Sequence, residues 1–219
     1  MNGLTLGGTG PHSGQRVLAT GTPLDRAEAA MVLLHGRGAT AQSILTLAEE
    51  LSRPDFAYLA PQASGNSWYP FRFLAPIERN EPHLSSALAG IDSMLEHLGQ
   101  AGIPSEHTVL LGFSQGACLA LEFTARHSRR YGGVVGFSGG LIGPEGTPRN
   151  YTGSLDSTPV FLGCSEVDVH IPKERVIQSA EVLRQLGGQV TMRLYPNMGH
   201  TINKDELTSV RSLLEEIPR

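Results

Sequence analysis

The chain has 219 residues, with 17 Lys and Arg against 21 Asp and Glu and a formal net charge of −4, so nothing in its charge points to nucleic acid or another polyanion as a partner. That length suffices for a sizeable core, burying about 70–75% of the unfolded surface. No composition break or low-complexity linker divides the chain, which predicts one domain over 1–219. Cys118 and Cys164 are too few for a disulfide framework and lie in apolar runs, which predicts reduced, buried thiols. The glycine-rich stretch 1–11 lacks a basic and then apolar leader pattern. No apolar run approaches the ~18 residues that cross a bilayer. The expectation is a soluble cytoplasmic chain without stable membrane insertion.

In chain order, the first dozen residues and 15–20 read as short edge strands. Residues 29–34 (AAMVLL) form a continuous apolar run, the pattern of a strand buried on both faces. After His35-Gly36-Arg37-Gly38, Thr40 can cap a helix with Ile44, Leu47, Ala48 and Leu51 on one face, ended by Pro54. Residues 56–60 form the next strand. A long irregular stretch, 61–81, carries the single tryptophan, Trp68. Pro82 then opens an amphipathic helix with Leu84, Leu88, Ile91, Leu95 and Leu98 inward. Residues 109–111 and 133–135 are strand-like, and a helix follows the first of them at residue 115. A second long loop covers 138–158, followed by a strand over 159–163. Pro172 opens a helix with Val176, Ile177, Ala180 and Leu183 inward and Gly187-Gly188 as its stop. Residues 190–195 alternate as a strand does. The last helix has Asn203 and Glu206 in capping-box spacing, with Leu207, Val210, Leu214 and Ile217 on one face. Strands alternating with helices predict an α/β protein: a mostly parallel twisted sheet flanked by helices on both faces.

Two segments match G-x-S-x-G. At Gly112-Phe113-Ser114-Gln115-Gly116 a buried strand precedes the motif and helix formers follow it at once. That is the context of a nucleophile elbow, with the serine exposed on a strained turn above the sheet edge. The glycines are required there because strand and helix pass too closely for side chains. Gly136-Phe137-Ser138-Gly139-Gly140 also follows a strand, but Gly143, Pro144 and Gly146 come next and cannot begin a helix. Ser138 is therefore read as a loop serine and Ser114 as the nucleophile.

Functional loops of such a sheet collect at the carboxyl ends of its strands. Asp168 and His200 both follow predicted strands, in the Ser, acid, His order of an α/β-hydrolase. The assignment is Ser114 as nucleophile, His200 as general base and then acid, and Asp168 as the carboxylate that orients the imidazole. Glu166 is an alternative acid on the same loop, and His170 is read as a loop residue. Backbone N–H groups of Gln115 and Arg37 are the expected oxyanion donors, and His35 is read as ordering the Arg37 loop. The Arg37 side chain either lines the cleft or points to solvent. No metal-ligand spacing such as H-E-x-x-H or C-x-x-C occurs. A hydrolase-fold protein that binds without catalysis is the competing class; it has no chemical reason to keep serine, acid and histidine at three strand ends.

These motifs resemble the phospholipase/carboxylesterase group of α/β-hydrolases, small bacterial carboxylesterases related to acyl-protein thioesterases. The resemblance runs from Met31-Val-Leu-Leu-His-Gly through Leu111-Gly-Phe-Ser-Gln-Gly-Ala and the Asp168 loop to Gly199-His200. It implies an esterase acting on small-molecule esters of short to medium acyl chains, with thioesters or lysophospholipids as alternatives. It also implies no cofactor and a monomer or homodimer. Arg37, apolar at the matching position of the thioesterases, and Trp68-Tyr69-Pro70 set this chain apart. Neither long loop is long enough for a cap domain, which predicts a shallow cleft. Trp68, Tyr69, Phe71 and Leu141 are candidate acyl-pocket walls; the other reading is that they pin the loops to the body.

Overall fold

The structure is a computed structural model that describes residues 4–217. Seven strands form one sheet: β1 (Val17–Gly21), β2 (Ala29–Leu34), β3 (Phe56–Pro61), β4 (Thr108–Phe113), β5 (Gly133–Phe137), β6 (Pro159–Ser165) and β7 (Gln189–Tyr195). The spatial order is β1-β3-β2-β4-β5-β6-β7; β1 runs antiparallel to β3 and every other pair is parallel. Among the described residues five α-helices lie between strands, α1 (Ala41–Ile44), α2 (Leu47–Glu50), α3 (His83–Gln100), α4 (Gln115–Arg126) and α5 (Lys173–Gln185), and α6 (Lys204–Glu215) follows the last strand. Among the described residues no helix is long and apolar enough to cross a membrane.

The period-two geometry of the strands divides the core. Ala30, Val32 and Leu34 of β2, with Leu110 and Val134, pack against α3, α4 and α5. Met31 and Leu33, with Val109, Leu111, Val135 and Phe161, pack against α1, α2 and α6. Both faces are therefore apolar, which is why residues 29–34 read as an unbroken hydrophobic run.

Three departures from expectation have local causes. The helix after Thr40 is two short pieces. Thr40 does cap it, its hydroxyl oxygen accepting from Ser43 N at 3.2 Å. Thr46, however, donates its hydroxyl to Ser43 O (2.8 Å), and the Ala48 and Glu49 N–H groups bond back by three residues, so the ladder breaks at Leu45-Thr46. In α5, Ile177 is 46% exposed while Val176, Ala180 and Leu183 are fully buried; Ser179 takes an inward place, accepting from Leu141 N at 2.8 Å. At the amino end there is no strand over residues 4–12, only a bridge from Thr5 to Arg16, and the expectation for residues 1–3 lies outside the described residues. Cys118 and Cys164 are free and buried.

The capping box of α6 forms as read: Asn203 Oδ1 accepts from Glu206 N (2.9 Å) and Glu206 Oε2 from Asn203 N (2.8 Å). Glu206 is fully buried and its Oε1 has no partner among the described residues. Burial, only partly offset by the Asn203 N–H and reinforced by the neighbouring charge of Asp205, pushes its carboxyl up to about 7. Between the ordinary value of 4.5 and about 7 the folded state binds the extra proton, so this group favours folding at low pH and that contribution is lost as pH rises through 7. Glu206→Gln keeps the cap acceptor and removes the charge. It should stabilise the protein at pH 8 by about 2 kcal/mol and much less at pH 5, as read from urea midpoints.

A second expectation comes from the β4–α4 corner. A Cβ on Gly116 would collide with the carbonyl oxygens of Leu34 and His35, which are backbone and cannot yield. Gly116→Ala should destabilise by about 3 kcal/mol or more, whereas Gly99→Ala, in open space near the end of α3, should gain about 0.5–1 kcal/mol from helix propensity. Thermal melts of the two variants check the contrast.

Candidate active site

The carboxyl ends of β2, β4, β6 and β7 bring Arg37, Ser114, Asp168 and His200 to one rim of the sheet. Ser114 occupies the single residue between β4 and α4, at φ 55° and ψ −117°. An L-residue adopts such a conformation only when its surroundings impose it. Its N–H donates to Phe137 O (2.9 Å), tying the corner to the end of β5. Ser114 Oγ lies 2.8 Å from His200 Nε2, and His200 Nδ1 lies 2.7 Å from Asp168 Oδ2. The other carboxylate oxygen, Oδ1, accepts the N–H groups of His170 (2.8 Å) and Ile171 (3.1 Å).

Burial alone would raise the Asp168 pKa. The hydrogen bonds from His200 and from the two backbone N–H groups outweigh it and hold the carboxyl below its ordinary value. Asp168 therefore stays ionised and accepts only. That assigns the proton on His200 to Nδ1 and leaves Nε2 to accept from the Ser114 hydroxyl. The arrangement can move a proton from serine to imidazole while a fixed negative charge faces the far nitrogen.

Glu166 is exposed on the same loop. His170 packs edge-on against the His200 ring at 4.9 Å and lines the cavity. Ser138 shares the positive φ of Ser114 (51°), but it is fully buried and its Oγ has no partner among the described residues. Gln115 is the first residue of α4, where an N–H has no partner within the helix, and Arg37 lies three residues past the end of β2. Both line the cavity.

That cavity measures about 330 Å³, bounded by Gly36, Ala39, Tyr69, Phe73, Phe113 and Ile171 among others. Of the four candidate wall residues, only Tyr69 lines it. Trp68 is buried outside it, its Nε1 donating to His35 O at 2.8 Å. Leu141 is fully buried, its carbonyl held by Arg175 (2.8 Å). Phe71 is 41% exposed with the Arg79 guanidinium 4.1 Å from its ring centre. Trp68 and Leu141 thus pin loops, as the second reading had it. Phe73, four residues past Tyr69, and Ile171, three past Asp168, supply apolar wall that single-residue reading passed over. Larger grooves beside β7 and β1 contain none of Ser114, Asp168 and His200.

The 61–81 loop is held by polar contacts from neutral side chains and from one arginine. Gln115 Oε1 accepts from Trp68 N (2.9 Å) and its Nε2 donates to Tyr69 O (2.8 Å). His12 accepts at Nδ1 from Ser64 N (3.1 Å) and donates from Nε2 to Trp68 O (2.9 Å). His35 Nε2 accepts from Ala63 N (3.1 Å), while its Nδ1 donates to Gly36 O (2.8 Å). Burial lowers the pKa of both histidines. The Arg37 residue is exposed and lines the cavity, and its guanidinium is tied to the loop, donating to Ser67 Oγ (3.1 Å), Pro70 O (2.9 Å) and Phe71 O (2.5 Å).

A model of the family described as Phospholipase/Carboxylesterase matches residues 16–217. A solved phospholipase/carboxylesterase from Dyadobacter fermentans is 42% identical, covering 92% of this chain and 97% of that one at a TM-score of 0.89. Esterase PE8 is 27% identical, covering 92% and 98% at a TM-score of 0.75. A curated relative, acyl-protein thioesterase 1 of Gibberella zeae, is 35% identical over 119 residues, 53% of this chain and 50% of that protein. The chain thus spans about half the length of this curated relative and of another thioesterase 1, from Debaryomyces hansenii.

Gln115→Ala keeps the backbone N–H but leaves Trp68 N without its partner and Tyr69 O with the Ser67 hydroxyl alone. It should cost about 1–3 kcal/mol of stability and open the 61–81 loop to limited proteolysis faster than the rest of the chain, as peptide mapping of early cleavage products would read.

Proposed function

Because the chain belongs to the phospholipase/carboxylesterase family, with its α/β-hydrolase fold, we propose that it is a serine carboxylesterase acting on short- to medium-chain esters through an acyl-enzyme. The carrying observation is the unbroken line of hydrogen bonds from Ser114 Oγ through His200 to Asp168 Oδ2. In this reading Ser114 attacks the ester carbonyl as His200 Nε2 takes its proton, and Asp168 stabilises the imidazolium. Charge gathers on the former carbonyl oxygen, where the N–H groups of Gln115 and Arg37 meet it; one such donor is worth about 3–4 kcal/mol. Collapse breaks the bond to the alcohol, which leaves with the proton from His200. Water then repeats the sequence on the acyl-Ser114 ester and releases the acid. No cofactor enters any step.

Size argues for modest acyl groups. A cavity of about 330 Å³ stands at the small end of ligand sites, and each further methylene gains ~0.8 kcal/mol only where wall covers it. Thioester hydrolysis by the same residues is a second reading, supported by the relatives named acyl-protein thioesterase; turnover of matched esters and thioesters separates the two.

A fluorophosphonate probe should label Ser114 with one-to-one stoichiometry, and Ser114→Ala should lower kcat by a factor on the order of 10⁶. An adduct on Ser138 would overturn the assignment.

A further inference from the structure

The cavity beside Ser114 is electrostatically one-sided. Arg37 and Arg72 line it, and no Asp or Glu does. The nearby carboxylate, Asp168, lies behind His200 with no exposed surface and both oxygens engaged. The amino end of α4 adds partial positive charge on the same side. Glu78 and Glu81, on the segment that carries Arg72, do not reach the cavity, and Glu81 is taken up by Ser85. This cationic sector occurs in a chain whose net charge is −4.

The two arginines differ in what they have left to give. Arg37 commits three of its five N–H donors to Ser67, Pro70 and Phe71, all neutral acceptors, so its charge is not neutralised but its head group is tied to the loop. Arg72 is exposed, and its guanidinium has no partner among the described residues. Its backbone is nonetheless fixed. The preceding carbonyl is held by Arg37 and the preceding N–H by Asn80 Oδ1 (2.9 Å), and its own carbonyl accepts from Asn80 Nδ2 at 3.3 Å. A free planar donor on an anchored strand of chain, beside an acid-free cavity, suits a carboxylate.

We propose that Arg72 is a specificity-determining residue that selects esters bearing a carboxylate group in addition to the scissile bond. The inference rests on the esterase reading above and narrows its substrate class. Two matched pairs test it and separate the side of the ester on which the anion sits: phenyl hydrogen succinate against phenyl butyrate, and carboxymethyl butyrate against propyl butyrate. At about 20 mM salt the anionic member of at least one pair should have the higher kcat/KM by about five- to tenfold, carried mainly by KM. That preference should fall toward unity in about 0.5 M salt and in Arg72→Gln, with partial return in Arg72→Lys. Ratios at or below one in both pairs, or a preference that survives Arg72→Gln, would overturn the proposal. If the neutral esters are still hydrolysed in that case, only the substrate class fails. If none of the four is turned over, the esterase reading fails with it.

Discussion

Backbone meets backbone where β4 turns into α4, and most of the site's geometry depends on that approach. Gly112 and Gly116 face each other across the corner, and Gly116 lies against the end of β2, so a Cβ at either would strike main-chain atoms. A chain that reverses in so little space must place one residue at positive φ, and that residue is Ser114. The strain is held from outside by the Ser114 N–H on Phe137 O and by burial of the whole of α4 up to Ala125. Its consequence is chemical: the hydroxyl stands clear of the sheet, and the first N–H of α4 opens to the same space.

The opposite wall of that space is a loop, and loops rarely hold a shape without apolar bulk. Here Trp68, Tyr69 and Phe73 supply buried apolar bulk, and polar contacts fix the backbone between them. Trp68 is seated by His35 O, and its neighbours are held by Gln115, His12 and Arg37. Gly143 N donates to Phe73 O at 2.7 Å, which ties this loop to the 138–158 loop. That second loop is anchored in turn by Arg175 on Leu141 O and Gly143 O and by Glu122 on Ile142 N. Nearly every anchor is a neutral group or a cation on a carbonyl. Around Arg72 the Phe71 N–H, the Phe71 carbonyl and the Arg72 carbonyl are all held, which leaves Arg72 with a fixed main chain and a free head.

The sheet was legible because both of its faces are covered: a strand packed on two sides reads as an apolar run, and a helix packed on one reads at period 3.6. The convergence of Ser114, Asp168 and His200 was legible for a related reason, since strand ends in a parallel sheet share one rim. Ile177 was misplaced because hydrophobicity was taken as a sign of burial, while the inward position went to Ser179, whose hydroxyl serves a loop N–H. The cavity walls were the least legible part. Trp68 and Leu141 are large and apolar, but what decides their direction is where their polar neighbours find partners, and those partners lie up to tens of residues away. His12 shows the same limit: its contacts are with Ser64 and Trp68, fifty and more residues on, and no local pattern announces them.

Ser114 and Ser138 together show how little of a serine's setting resides in the G-x-S-x-G motif. Both serines end parallel strands, both sit at φ near 50°, and both have glycine two residues on either side. What separates them is the next ten residues. After Ser114 a helix starts at once, lifting the serine to the rim and leaving an N–H unpaired beside it. After Ser138 the chain runs into the interior under Arg175 and Glu122, and the hydroxyl is sealed among buried atoms beside the Cys164 thiol. Backbone strain alone therefore does not bring a serine to the rim beside an imidazole. Strain, exposure and a helix amino end must coincide, and along this chain they do so at Ser114.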